Sequence, residues 1–460
     1  MSVLVQTRWE IRPAGFLFSL YKGLLLPVAI PAVQTGTKLM SNTKLSTLAE
    51  TLIGSEIVKL GNEIKERKRQ GEFIYNYTIG DFDSSIFPIP SELEEEIIKA
   101  YQEKHTTYPP AEGNLDLRDA VSSFIKTWQG VDYNAHEILI ASGGRPLIYS
   151  LYRTTVDAGD KVIYAVPSWN NNHYVHLCNA QHVMITATPE NNFMPRAADI
   201  APHVKGAALL AICTPQNPTG TTLSKTELEK ICDLVLEENK RRGEGEKKLY
   251  LFFDQMYWTL TYGDIKHYHP VALRPEMKAY TICVDAISKV FAATGVRVGW
   301  ATGPSSVIAK MKSILSHMGA WAPMAEQKAV AKFLVKEEAI KKYLVHFKSE
   351  IEERLRRIYK GLMQLKEEGF TVDAITPQAA IYLTIQIDLV GKTTPDGQLL
   401  LKQSDVTNYL LNEASLAIVP FYAFGADASS SWYRLSVGTC KKEEINEMLE
   451  KLRTALGKLK

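Results

Sequence analysis

Seven short apolar runs, EILIASGG, DKVIYAVP, HVMITATP, ALLAICTP, LYLFFDQ, TICVDAIS and RVGWATG, alternate with helix-forming stretches between residues 137 and 303. Strands this apolar need cover on both faces, and strands separated by helices supply it, so the pattern predicts a mainly parallel sheet flanked by helices, an α/β fold. In such sheets ligands bind beyond the carboxyl ends of the strands. Four of the runs end in polar or glycine residues at that edge.

The length of 460 residues, with 45% hydrophobic and 23% charged content, predicts more than one domain. A formal charge of +2, with acids and bases evenly spread, lacks the basic stripe that nucleic acid requires and favours a small-molecule partner. Five cysteines, Cys178, Cys213, Cys232, Cys283 and Cys440, form no C-x-x-C pair and sit mostly in apolar runs. They argue for a reducing, cytoplasmic setting and against a disulfide framework or a zinc site.

Residues 1–40 stand apart as an N-terminal extension. Arg8 and Arg12 precede an apolar stretch, but Lys22, Pro27 and Pro31 interrupt it, which argues against a membrane span. A targeting segment and a start assigned upstream of a true Met40 account for it equally well. Residues 41–90 read as a segment packing with a small domain, with an amphipathic helix from about Thr43 to Arg69 and then the turn-rich loop YTIGDFDSSIFPIP. Residues 91–323 make the large domain, and 324–460 a connecting helix and a smaller α+β domain. Ser224 followed by Glu227 forms a capping box, the charged stretch Glu238–Lys248 reads as a solvated loop, and Met324–Leu365 predicts one long helix. Beyond it, AIYLTIQIDL, LAIVPF and WYRLSV read as strands before a final amphipathic helix.

The chemistry concentrates in DAISKVFAATGVRVGW, Asp285 to Trp300. An amine at a strand's carboxyl edge, here Lys289, loses proton affinity when desolvated and becomes able to form an imine. Arg297 offers a planar fork matched to a phosphate. Taken alone, these two are more often a surface lysine and a salt-bridged arginine. In SGGRPLIYSLY a strand runs through Gly143, Gly144 and Arg145 into a helix, whose first amides and dipole can cradle a phosphate; an isolated double glycine would be a simple turn. Asp254 ends an apolar strand, where a carboxylate is costly unless a cation meets it or it caps a helix.

The segment around Lys289 resembles the signature of the class I and II aminotransferases, pyridoxal-phosphate enzymes of fold type I, through Ser288, Lys289, Gly295, Arg297 and Gly299. Ala286 departs from it, standing where many members have a phosphate-binding serine. The resemblance extends from about Thr43 to the C-terminus and implies a set of roles. Pyridoxal 5'-phosphate would be carried on Lys289, with Ser288 and Arg297 at the cofactor. Trp169 would stack on the pyridine ring, Asn217 and Tyr257 would contact its phenolic oxygen, and Asp254 would hold its nitrogen protonated. Arg434 would grip the substrate carboxylate, with Gly80 and Asn217 as further substrate contacts. Tyr108 would reach the phosphate of a neighbouring subunit, which implies a homodimer.

The implied reaction moves an amino group from an amino acid to a 2-oxo acid, the freed Lys289 amine carrying the proton, in a ping-pong cycle. A carbon–sulfur β-lyase on the same scaffold is the alternative, and a non-catalytic regulator a more remote one. Thr107, where members that accept dicarboxylic acids often have lysine, argues against aspartate recognition by that route. His317 and Trp321 are candidates for the side-chain pocket, with packing at a domain hinge the other reading.

Overall fold

All seven apolar runs form strands of one sheet in the computed structural model, which describes residues 45–52, 54 and 56–460. Across the sheet the order is Ile138–Ala141, Gly299–Thr302, Thr281–Ala286, Tyr250–Asp254, Ala207–Cys213, Lys161–Val166 and Gln181–Thr186. Only Gly299–Thr302 runs antiparallel to its neighbours. Ile138–Ala141, Gly299–Thr302 and Thr281–Ala286 are buried from end to end, and each enclosed Leu, Ile or Val side chain contributes about 1.5 to 3 kcal/mol. Gln181–Thr186, at one edge, leaves Gln181, His182, Met184 and Thr186 exposed. Register places Cys213 beside Asp254 at the carboxyl edge, and Lys289 lies three residues beyond the end of the neighbouring strand.

The chain divides into two units, Met1–Thr51 and Leu52–Lys460. In the first, the described part is Leu45, Ser46 and the short helix Thr47–Thr51; the extension 1–40 and the start of the expected Thr43–Arg69 helix lie outside the described residues. In the second, the helix Glu56–Arg69 leads to Tyr75–Asn76, which pairs in parallel with Leu416–Ala417. A four-stranded antiparallel sheet follows in the order Val419–Pro420, Trp432–Ser436, Tyr382–Ile387 and Val372–Ala374. The run LAIVPF is thus shared between two sheets. The final helix, Glu444–Gly457, buries Ile445, Met448, Leu452 and Leu456 along one face, as its period predicts.

Three local expectations need correction. The long helix is two, Met324–Leu334 and Glu337–Glu367, because Lys336 leaves helical geometry at ψ 66° and reaches Glu96 at 2.8 Å. Glu337 and Glu338 then open the second helix where its dipole favours acids. Ser224 caps the helix Lys225–Arg241 by accepting from the Glu227 amide at 3.2 Å, but the Glu227 carboxylate turns away to the Ala197 amide, so the box is half formed. The stretch Glu238–Lys248 is not all solvated: Glu238 is buried, and Arg242 pairs with it at 2.9 Å while donating to the Ala207 carbonyl. Among the described residues no helix is long and apolar enough to cross a membrane.

Candidate active site

The strand Ile138–Ala141 hands over to the helix Gly144–Thr155 through Gly143, at φ 86°. A side chain there would be strained, and a Cβ would stand 2.2 Å from Arg297 Nη2, so glycine is required twice over. Arg297 is itself left-handed at φ 62°, and it donates to the Ser142 and Thr294 carbonyls, each at 2.7 Å. No side chain caps the helix, so its start suits an anion. The Arg145 guanidinium lies 4.6 Å from the centre of the Trp169 ring, which it covers.

Asp254 closes its strand with a half-buried carboxylate, and Oδ1 accepts from the Met256 amide at 3.1 Å. Among the described residues it makes no ion pair, and burial pushes its carboxyl up to about 6. Lys289, in the short turn of helix Ile287–Val290, donates to the Gly80 carbonyl and lies 5.6 Å over the Phe82 ring. Burial brings its amine down to about 8, with Asp81 opposing and Arg434, Arg145 and Arg297 adding to the effect.

Arg434 reaches this edge from the antiparallel sheet. Nη1 donates to Asn217 Oδ1 at 3.0 Å and Nη2 to the Thr78 carbonyl, while the guanidinium lies 4.7 Å over Tyr382 and 4.9 Å over Phe424. Its buried Nε has no partner among the described residues. The hydroxyls of Tyr257 and Tyr382 share a 2.6 Å hydrogen bond.

One cavity of about 650 Å³ brings these groups together. Gly80, Gly144, Arg145, Trp169, Asn217, Asp254, Tyr257, Ser288, Lys289, Arg297 and Arg434 all line it. Gly143 sits just behind, against Arg297. Tyr108 does not join them: it is 84% exposed and packs edge-on against Trp321 at 5.4 Å. Neither Trp321 nor His317 lines the cavity. Sequence reasoning missed Asp81, Cys213, Met256 and Tyr382, which do; Ala286 is packed instead, 3.1 Å from where a Cβ on Gly299 would stand. A second cavity of about 710 Å³, walled by Trp128, Trp258 and Leu344, contains none of the expected site residues.

Comparison with known proteins accords with this geometry. The aspartate aminotransferase of Rhizobium meliloti superposes with a TM-score of 0.83 at 25% identity, covering 91% of this chain and all of that one. A probable aspartate/prephenate aminotransferase of Rhizobium leguminosarum bv. phaseoli is 27% identical over 88% of this chain and 97% of its own length. For an aspartate aminotransferase of Geobacillus stearothermophilus the figures are 29%, 83% and 92%. The family described as "Aminotransferase class I and II" matches residues 76–452, more than three quarters of the sequence. The chain belongs to the class I and II aminotransferases.

Proposed function

We propose that the protein carries pyridoxal 5'-phosphate on Lys289 and uses it to transfer the amino group of an amino acid to a 2-oxo acid. One observation carries this reading: a half-buried carboxylate with no ion pair among the described residues, Asp254, shares a cavity with an amine whose proton affinity burial has reduced, Lys289. The residues present fit the cofactor. The uncapped helix start at Gly144, with Arg297, suits a phosphate; Trp169 offers an aromatic wall; Asp254 lacks only a protonated ring nitrogen; and Asn217 and Tyr257 carry polar atoms on the same wall.

When bound, pyridoxal phosphate supplies an electron sink that stabilises negative charge at the substrate's α-carbon. Arg434 binds the substrate's α-carboxylate through its fork, held in place by Asn217 and the Thr78 carbonyl. The Lys289 Nζ, neutral once deprotonated, takes the α-proton and delivers it again. Asp254, half-buried at the end of its strand, would hold the cofactor's ring nitrogen in its protonated form. Tyr257 offers its hydroxyl to an oxygen in the cavity.

The relatives named for aspartate support a dicarboxylic amino donor. Arg145 supports it too, as a cation lining the cavity with no ion pair among the described residues; it offers a route other than the one that Thr107 argues against. We further propose a cytoplasmic homodimer in which Tyr108, too exposed to serve its own cavity, completes the site of its partner. The domain division proposed is 91–323 and 324–460, with residues 56–90 on the latter, a reading supported by the pairing of Tyr75 with Leu416.

Incubation of the holoenzyme with single amino acids tests the reaction. Transamination predicts stoichiometric pyridoxamine phosphate and 2-oxo acid, fastest with aspartate or glutamate. Catalytic pyruvate and ammonia would indicate elimination instead.

A further inference from the structure

We propose that Tyr382 is a positioning residue of this reaction: its hydroxyl turns the Tyr257 proton into the cavity, and its ring holds the Arg434 guanidinium. The inference rests on the function proposed above, and it concerns a residue that belongs to none of the sequence motifs.

Tyr382 opens the strand Tyr382–Ile387, two residues from Thr384, which pairs with Arg434. It is 1% exposed, and its side chain touches three parts of the site. Its hydroxyl oxygen lies 2.6 Å from that of Tyr257. Its ring face lies 4.7 Å below the Arg434 guanidinium. The same hydroxyl crowds Gly80, where a Cβ would stand 2.7 Å from it, and the Gly80 carbonyl accepts from Lys289.

Two phenols in a hydrogen bond have two protons between them, of which the bond uses one. Both side chains border the cavity, but the Tyr382 hydroxyl is packed against Gly80 and has no second partner among the described residues. The arrangement that leaves no proton stranded is therefore Tyr382 donating to Tyr257 and Tyr257 donating outward. The ring contact supplies a second, separable contribution: it fixes the plane of the fork that receives the substrate carboxylate.

Two substitutions separate these contributions. Tyr382→Phe keeps the ring and removes the hydroxyl, so kcat falls about ten-fold, KM for the amino donor stays within about two-fold, and the pH midpoint of the holoenzyme's visible absorbance moves up. Tyr382→Leu removes both, and KM rises several-fold as well. A third variant tests the geometry without relying on activity. Gly80→Ala lowers Tm in the parent protein, where its Cβ meets the hydroxyl, and lowers it far less in a Tyr382→Phe background. Equal Tm losses in both backgrounds, or a Tyr382→Phe enzyme with unchanged kcat and absorbance midpoint, overturn the role of Tyr382. A parent holoenzyme that turns over no amino donor overturns instead the function on which it rests, and leaves the Tm comparison to decide the geometry.

Discussion

The Arg434 guanidinium donates to the Asn217 side chain at 3.0 Å, joining residues 217 positions apart in the chain. Asn217 belongs to the loop after the strand Ala207–Cys213 of the large sheet, and Arg434 to the antiparallel sheet. The bond therefore ties the candidate carboxylate grip to the candidate cofactor wall, and leaves the fork with one buried donor, Nε, unmatched.

Substituting Arg434 with Lys removes the planar fork while keeping the charge. The loss of a charge-assisted bidentate contact, about 3 kcal/mol, corresponds to roughly 100-fold in kcat/KM. Steady-state kinetics with a saturating 2-oxo acid should place most of it in KM for the amino donor.

Cofactor capture by the apoenzyme needs a neutral Lys289 amine. Burial brings that amine down to about 8, so it is mostly protonated below pH 8 and mostly neutral above. The rate of absorbance growth on adding pyridoxal phosphate should climb about ten-fold per pH unit below 8 and level off above it.

Asp254 makes stability depend on pH in the opposite sense from an ordinary salt-bridged acid. Its folded carboxyl is raised from 3.8 to about 6, so the folded apoprotein keeps a proton that the unfolded chain gives up. The resulting stability, on the order of 3 kcal/mol, is complete below pH 3.8 and is lost as pH rises through about 6. A bound cation would offset that loss. Thermal melts should therefore show the cofactor raising Tm more at pH 7.5 than at pH 5, a difference that Asp254→Asn removes.

Gly143→Ala forces a Cβ into the Arg297 guanidinium from a left-handed backbone. A cost of about 1 to 3 kcal/mol follows, and it should fall on cofactor affinity because Arg297 must move. Equilibrium dialysis of pyridoxal phosphate should show roughly ten-fold to 100-fold weaker binding, with far-ultraviolet circular dichroism unchanged.

The large sheet was legible in the sequence because most of its strands are buried apolar runs, and burial on both faces leaves a continuous apolar signal. Val372–Ala374 escaped notice because three residues, one of them Asp373, carry no period. The helix break at Lys336 was hidden among strong helix formers, since the contact that opens it, to Glu96, lies 240 positions away. The same distinction runs through the site. Lys289, Asp254 and Asn217 stand in local motifs, whereas Tyr382 matters through Tyr257, 125 residues distant, and no local pattern records that pairing. Glu238 read as solvated because its neighbours are charged, yet it is the buried acceptor for Arg242 and the Gly206 amide.

The claim on which all of this depends is that Lys289 is the residue carrying the cofactor. Borohydride reduction of the holoenzyme, proteolysis and mass spectrometry of the peptides test it directly. A phosphopyridoxyl group on Lys289, absent from the Lys289→Ala protein, is the predicted result; the group on a different lysine, or an unlabelled Lys289 in a protein that still turns over, would contradict it.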